Sequence, residues 1–188
     1  MFILVILLLL VSLAFAIEEF VLIKPASTIE QSDPISRRLE MMAIWIPAIG
    51  WGTTAATLGI FGGVRLDGVI NGTGLALCMA GLALRYWSRR TLGGFFTIGV
   101  VKQKGHRVIR EGPYGSVRHP AYLAFLFFYL GLPLLIGNWF GLLFLSLPAF
   151  IVFILLINVE DKYLAEGLGG SDYQDYRKHS ARLVPGIW

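Results

Sequence analysis

The chain contains little cysteine and little charge. Its single cysteine, Cys78, lies in an apolar segment, which excludes an intrachain disulfide and a cysteine-based zinc site. Only 15% of the 188 residues are charged and 56% are hydrophobic, and the charges are gathered between long uncharged segments. A net charge of +4 would suggest nucleic acid in a soluble protein, but here the basic residues flank apolar segments, as they do beside anionic lipid headgroups. We therefore predict an integral membrane protein that contacts membrane lipids and binds no nucleic acid.

Several motifs that carry chemistry are also absent. The histidines His106, His119 and His179 lack the short spacing of a metal site such as HxxxH, so no metal ion is expected. The sequence contains neither a glycine-rich phosphate-binding loop nor a GxSxG motif. Nucleophilic hydrolysis therefore has no support.

The uncharged runs predict the membrane spans. A helix needs about 20 mostly apolar residues to cross a hydrocarbon core roughly 30 Å thick. Residues 120–159 carry no charge and are about twice that length, so they must fold back, and we place the break at Gly137-Asn138, beside Trp139. An all-α fold of five transmembrane helices follows, in a single domain over residues 1–188 because no repeat or linker divides the chain. The predicted spans are residues 1–23, 41–64, 68–84 and the two halves of 120–159.

The distribution of Lys and Arg predicts the orientation of these spans. Fifteen of the sixteen basic residues fall on one side of the five-span arrangement, and Arg65 is the exception. The positive-inside rule makes that side cytoplasmic, with the N-terminus outside and the C-terminus inside. The alternative is that residues 1–16 are a signal peptide ending at Ala14-Phe15-Ala16. That segment lacks a basic beginning, and its removal would place Arg37 and Arg38 outside.

Small residues recur at every fourth position of spans two and three. Such ladders let helices approach closely in lipid and predict a tight hairpin, although glycine is also simply common in membrane helices. The positions are Ala55, Gly59 and Gly63 in span two, and Gly68, Gly72, Ala76 and Ala80 in span three.

Polar residues gather directly before span four and after span five. Pro120 suits the first turn of a helix, and the free amides there, with Arg118 and His119, predict a corner that favours anions. Glu160 and Asp161 end the uncharged run, and the fold-back would bring Glu160 near His119. A carboxylate beside these basic groups could hold a zwitterion such as an amino acid moiety. The alternative is that Arg118 and Glu160 pair as anchors of the hairpin.

Three stretches carry a resemblance to a known family. They are "HRVIREGPYGSVRHPAY" at 106–122, "EDKYL" at 160–164 and "GSDYQDYRKHSARLVP" at 170–185. In order and spacing they resemble the isoprenylcysteine carboxyl methyltransferase family and its phospholipid methyltransferase relatives. The resemblance covers about residues 95–186, and Asp161 stands where the family usually has a second Glu.

The resemblance implies a cytoplasmic S-adenosylmethionine site, formed by the loop before span four and the C-terminal tail. It also implies methyl transfer to a lipophilic acceptor that arrives from the bilayer. The catalytic residues would be His119, Arg118 and Glu160. The residues implied to bind the cofactor are His106, Arg107, Val108, Ile109, Tyr114, His119, Pro120, Ala121, Tyr122 and Glu160.

One departure from the family bears on the acceptor. Leu156 stands where the carboxyl methyltransferases carry an arginine four residues before the first acidic residue. A phospholipid amine or a small thiol is therefore an alternative acceptor. A nicotinamide-dependent sterol reductase and a non-enzymatic membrane scaffold are the alternatives outside this reaction class.

Overall fold

The computed structural model describes residues 2–17, 29–32, 67–96, 101–103, 107–167 and 171–186, with isolated positions between 35 and 45. The second predicted span, residues 41–64, lies outside these ranges except for Met42 and Trp45. We number the described helices along the chain. They are α1 (Phe2–Ala16), α2 (Gly68–Leu92), α3 (Pro120–Leu135), α4 and α5 (Ser171–His179). Helix α4 is continuous from Trp139 to Gly167 and consists of Trp139–Gly141, a π-helical segment Leu142–Ser146 and Leu147–Gly167.

Local sequence signals set the ends of α2. The Asp67 carboxylate accepts hydrogen bonds from the amides of Val69 (2.9 Å) and Ile70 (3.2 Å), as an N-cap residue does. The helix ends at Gly93, whose φ of 54° is readily available to glycine. It therefore continues about two turns beyond the predicted end at Leu84.

The predicted break between α3 and α4 is confirmed. Gly137 has a φ of 64°, which lets the chain leave α3 in the left-handed region. The side chain of Asn138 then accepts a hydrogen bond from the Gly141 amide at 3.3 Å and caps the start of α4. The sequence of a turn-forming glycine and a capping asparagine thus reverses the chain.

Three glycines allow α2 and α3 to pack closely. A Cβ atom at Gly74 would overlap the backbone nitrogen of Leu135, and one at Gly131 would lie 2.7 Å from the Gly74 carbonyl oxygen. A Cβ at Gly81 would lie 2.7 Å from the Ala124 carbonyl oxygen. Small residues therefore bring these backbones together, as expected for helices in lipid.

The predicted ladder on this helix lies on a different face from the contact with α3, and its packing against span two stays a prediction. Gly68, Gly72, Ala76 and Ala80 are exposed, and nothing lies within 4 Å of a Cβ at Gly68 or Gly72. The close contact uses a neighbouring stripe of α2, because burial depends on the helix face and not on the fourfold spacing alone. The hairpin partner, span two, lies outside the described residues.

Helix α4 has two distinct faces. One face is buried and contributes to the core, which also contains Phe15 of α1 stacked on Phe128 of α3 at 3.7 Å between ring centroids. Large apolar side chains line the other face, a pattern that suits lipid contact. The exposed residues are Trp139, Phe140, Leu143, Phe144, Leu147, Phe150, Ile151 and Leu155. The buried residues are Leu145, Ala149, Val152, Phe153, Leu156 and Ile157.

The fold is mostly helical, with one short ribbon added to the predicted all-α arrangement. Strand β1 (Ile29–Ser32) pairs antiparallel with β2 (Val101–Gln103), with Ile29 opposite Gln103 and Ser32 opposite Val101. Two described helices are long and apolar enough to cross a membrane, Gly68–Phe95 and Trp139–Glu166. Helix α3 is apolar but shorter.

Candidate functional site

The C-terminal tail docks against the segment that leads into α3. The amide of Arg118 donates to the carbonyl of Ala181 at 2.8 Å, and the amide of His119 donates to the carbonyl of Arg182 at 3.1 Å. The Ala181 amide donates in turn to the Ser116 carbonyl at 2.9 Å. These bonds form a parallel bridge that fixes the start of α3 against residues far away in sequence.

Asp161 of α4 lies at the centre of this docking. It is 2% exposed, and its carboxylate lies 2.9 Å from His119 Nε2 and 3.0 Å from Arg182 Nε. The Tyr173 hydroxyl donates to it at 2.7 Å, and Arg118 Nε lies 3.5 Å away. A buried carboxylate costs free energy unless it is compensated. Here His119 and Tyr173 hydrogen-bond to Oδ1, and Arg118 and Arg182 add ion pairs.

Glu160 lies beside the same histidine. Its Oε2 atom is 3.5 Å from His119 Nδ1, so the predicted proximity of Glu160 to His119 is confirmed. That oxygen is buried, and within the described ranges it accepts no hydrogen bond. The side chain as a whole is 23% exposed, which leaves the carboxylate reachable from one side.

The environment of His119 favours its charged form. Burial lowers the pKa of His119, but the hydrogen bond with Asp161 and the negative charges of Glu160 and Asp161 outweigh this and raise the pKa to about 9. At neutral pH the ring is then an imidazolium that directs one N–H to Asp161 and the other toward Glu160. His119 is therefore suited to orienting Glu160 and poorly suited to accepting a proton.

Two expectations about the charges need correction. Helix α4 continues to Gly167, beyond the predicted end of span five at residue 159, so Glu160 and Asp161 lie within the helix, and their burial calls for nearby cations. Arg118 pairs with Asp161, whereas the alternative prediction paired it with Glu160. Its Nη1 donates to the carbonyls of Arg177 (3.2 Å) and Ser180, which are contacts that hold the tail.

Tyrosines complete the walls of this region. The Tyr114 carbonyl accepts from the Tyr176 hydroxyl at 2.6 Å, which ties the turn at Gly112–Gly115 to α5. Tyr114 is buried, and burial together with the charge of Glu160 raises the pKa of its hydroxyl. The Tyr122 ring stacks on His119 with 5.8 Å between centroids.

The other residues implied for cofactor binding differ in their exposure. Pro120 is fully buried at the first position of α3, and Ala121 is half-buried behind it. Arg107 is exposed, while Val108 and Ile109 are half-buried. His106 lies outside the described residues. Among the described residues, no group of three or more His, Cys, Asp or Glu side chains is arranged to hold a metal ion.

Sequence reasoning missed the residues that hold the tail in place. Asp161, Tyr173, Tyr176 and Arg182 were present in the quoted stretches but were given no role. The spacing of the two tyrosines was the available signal. Tyr173 and Tyr176 are three residues apart, so they lie on one face of α5, and both are buried.

Comparisons with known proteins identify the family of the chain. The sequence model described as phospholipid methyltransferase matches residues 70–170, more than half of the chain. This chain belongs to the phospholipid methyltransferase family. The match covers most of α2, all of α3 and α4, and both carboxylates of the site. The resemblance found in the sequence is thereby confirmed.

Individual relatives of this family member carry related names. The chain is 36% identical over 84 residues to protein-S-isoprenylcysteine O-methyltransferase of Schizosaccharomyces pombe, which covers 45% of this chain and 35% of that protein. It is 26% identical over 134 residues to protein-S-isoprenylcysteine O-methyltransferase B of Arabidopsis thaliana, and this match covers 70% of this chain and 66% of that protein. The chain thus spans about a third to two thirds of the length of these relatives.

A solved structure shares the fold. The eukaryotic intramembrane Ras methyltransferase ICMT (isoprenylcysteine carboxyl methyltransferase) superposes with a TM-score of 0.64 at 21% identity, over 93% of this chain and 61% of that one. The chain therefore shares the fold of an intramembrane enzyme, and two of its described helices are long and apolar enough to cross a bilayer.

Proposed function

We propose that the chain is an S-adenosylmethionine-dependent methyltransferase that acts on a lipophilic acceptor at the cytoplasmic membrane surface. A carboxylate of the isoprenylcysteine kind is the acceptor that the names of the relatives suggest. The observation that carries the proposal is the buried Oε2 of Glu160, which lacks a described hydrogen-bond donor and lies beside the charged ring of His119.

The residues present fit the methionine end of such a cofactor. An ammonium group would supply the donor that the Glu160 oxygen lacks among the described residues, and a charge-assisted hydrogen bond is the strong kind. When bound, S-adenosylmethionine would supply an activated methyl group. Tyr122, which stacks on His119, and Tyr114, which the charge of Glu160 affects, would form part of the wall. The remaining proposed contacts are His106, Arg107, Val108, Ile109, Pro120 and Ala121.

The protein would contribute position rather than a nucleophile. Asp161 holds His119 on one ring nitrogen, and His119 orients Glu160 from the other. Arg118 holds the tail beneath this pair, so we assign it and His119 to positioning and Glu160 to cofactor binding. Alignment of donor and acceptor and exclusion of water account for the rate that we expect.

The membrane arrangement is part of the same proposal. We propose one domain over residues 1–188 with five transmembrane helices, the N-terminus outside, and the pocket and C-terminus in the cytoplasm. The pocket would lie between the loop before α3 and the C-terminal tail. In a Cys78→Ala background, single cysteines at positions 104 and 138 should react with an impermeant reagent from opposite sides. Labelling of both from one side would refute the topology.

A phospholipid amine is the second candidate acceptor, since Leu156 offers no charge to a carboxylate. Leu156 is 1% exposed and belongs to the apolar core. Transfer of a labelled methyl group should be measured for a farnesylcysteine analogue, phosphatidylethanolamine and a small thiol. We expect the farnesylcysteine analogue to be methylated fastest. No transfer to any lipophilic acceptor, by protein that binds the cofactor, would contradict the proposed acceptor class.

A further inference from the structure

The last two turns of α2 bring two arginines together around one exposed tyrosine. Arg90 Nη1 donates to the Tyr86 hydroxyl at 3.1 Å, and the Arg89 guanidinium carbon lies 5.7 Å from the centroid of the Tyr86 ring. Tyr86 is 47% exposed, and Arg90 is exposed beside it. The tyrosine thus holds one cation through its hydroxyl and the other through its ring. We call Tyr86, Arg89 and Arg90 the arginine cluster.

The charge of this cluster is not balanced within its own helix. Residues Gly68–Leu92 include neither Asp nor Glu. A guanidinium has five N–H donors, and the bond to Tyr86 uses one of those on Arg90. Arg90 also lies two and a half turns beyond Gly81, which contacts α3, so it lies on the opposite face of α2. Arg90 can therefore keep its bond to Tyr86 and bind an anion from outside the bundle.

The cluster lies at the depth of phospholipid headgroups when α2 crosses the membrane. The helix begins at Gly68, after the charged Asp67, and Tyr86 lies about 27 Å further along its axis at 1.5 Å per residue. A hydrocarbon core is about 30 Å thick, so Arg90 comes just beyond its far edge. Trp87 is 54% exposed at the same level, and tryptophan favours this boundary.

We propose that the arginine cluster binds the phosphate of an anionic phospholipid, with Arg90 as the main donor. A planar guanidinium matches two phosphate oxygens, and the bond to Tyr86 fixes its orientation. The neighbouring charge of Arg89 favours a headgroup of net negative charge over a zwitterionic one, whose ammonium group it repels. The inference rests on the proposed membrane arrangement and is independent of methyl transfer.

The test is native mass spectrometry of the protein in neutral detergent, titrated with phosphatidylglycerol or with phosphatidylcholine of the same chains. The parent should bind the first phosphatidylglycerol at least about fivefold more tightly, which is the factor that one basic residue near an anionic headgroup contributes. Arg90→Gln should lower this preference roughly threefold or more. Tyr86→Phe should lower it by less, because it removes only the hydroxyl that orients Arg90.

Lys178→Gln is the matched control, because it removes one positive charge from an exposed position on α5. It should keep the preference of the parent. Soluble glycerol phosphate should not displace the bound lipid, because it lacks the acyl chains that hold a headgroup at the membrane boundary.

Each contrary result overturns the proposal in a different way. Equal affinity of the parent for both lipids, or an unchanged preference in Arg90→Gln, would show that the cluster does not select a charge. An equal loss in Lys178→Gln would indicate diffuse attraction in place of a site, and displacement by glycerol phosphate would assign the site to a soluble phosphate compound. If Arg90→Gln does not fold, Tyr86→Phe decides the question. Failure of the protein to bind S-adenosylhomocysteine would refute the proposed function and leave the lipid result unchanged.

Discussion

Asp161→Asn should detach the C-terminal tail from the start of α3. The substitution keeps the size of the side chain and removes the charge on which three cations converge, His119, Arg118 and Arg182. The carboxylate is 2% exposed, so solvent cannot replace it. Breaking a buried ion pair by removing one partner costs about 3 to 5 kcal/mol, because the other charge stays buried without compensation.

The loss can be measured as thermal stability in detergent. For a chain of this size each kcal/mol lowers the melting temperature by roughly 2 to 4 °C, so a fall of roughly 6 to 20 °C is expected. The tail should also become sensitive to protease at Arg177 and Lys178. S-adenosylhomocysteine affinity should fall with it, because His119 would no longer be held toward Glu160.

Asp175→Asn is the control for this prediction. Asp175 is a half-exposed tail carboxylate 3.1 Å from Arg110, and a surface pair of this kind contributes at most about 1 kcal/mol. It should leave the melting temperature within a few degrees of the parent. If Asp161→Asn has the melting temperature and the protease resistance of the parent, the tail is held by something other than this carboxylate.

Three further predictions test the packing and the charge state. First, stability should depend on pH through His119, because its pKa is raised from the ordinary value of 6.5 to about 9 in the folded protein. The charged His119 ring therefore stabilises the fold fully below pH 6.5, and this stabilisation is lost as the pH rises through 9. The fall in melting temperature between pH 7 and 10 should shrink in His119→Asn and persist in a variant of the exposed His179. Second, Gly74→Ala should destabilise by at least about 1 to 3 kcal/mol, because its Cβ meets a backbone atom, whereas Gly72→Ala should not, since its Cβ has open space; equal melting temperatures would contradict the α2–α3 contact. Third, Leu156→Arg should unfold or strongly destabilise the protein and should not improve a carboxylate acceptor, because the residue is fully buried in the core; a stable variant with faster methylation would refute this.

Local chemistry made part of the fold predictable. The reversal at Gly137-Asn138 could be read from two residues, because a positive φ favours glycine and an N-cap favours asparagine. Once the chain reverses there, α4 must return beside α3, and the proximity of Glu160 to His119 follows from helix lengths alone. The stripe of α2 that packs on α3 could not be read this way, since several small-residue spacings coexist on one helix.

Other features depend on contacts that a linear pattern does not contain. Glu160 and Asp161 are adjacent, and only the rotation of α4 decides which one meets the tail and which one stays partly open. The bridge between Val117 and Ala181 joins residues far apart in sequence, so the tail motif could be recognised without its partner. The burial of Arg85 against aromatic rings likewise depends on the positions of Phe96 and Phe125.

The most direct test of the central claim is equilibrium binding of S-adenosylhomocysteine to the purified protein by calorimetry. The parent should bind it and should not bind NADPH. Glu160→Gln should weaken binding by about 1.5 to 3 kcal/mol, the value of a charge-assisted hydrogen bond. Glu166→Gln, an exposed carboxylate on the same helix, should bind as the parent does. Absence of binding by the parent, or parent-like affinity in Glu160→Gln, would contradict the assigned site, and binding of NADPH in its place would point to a reductase.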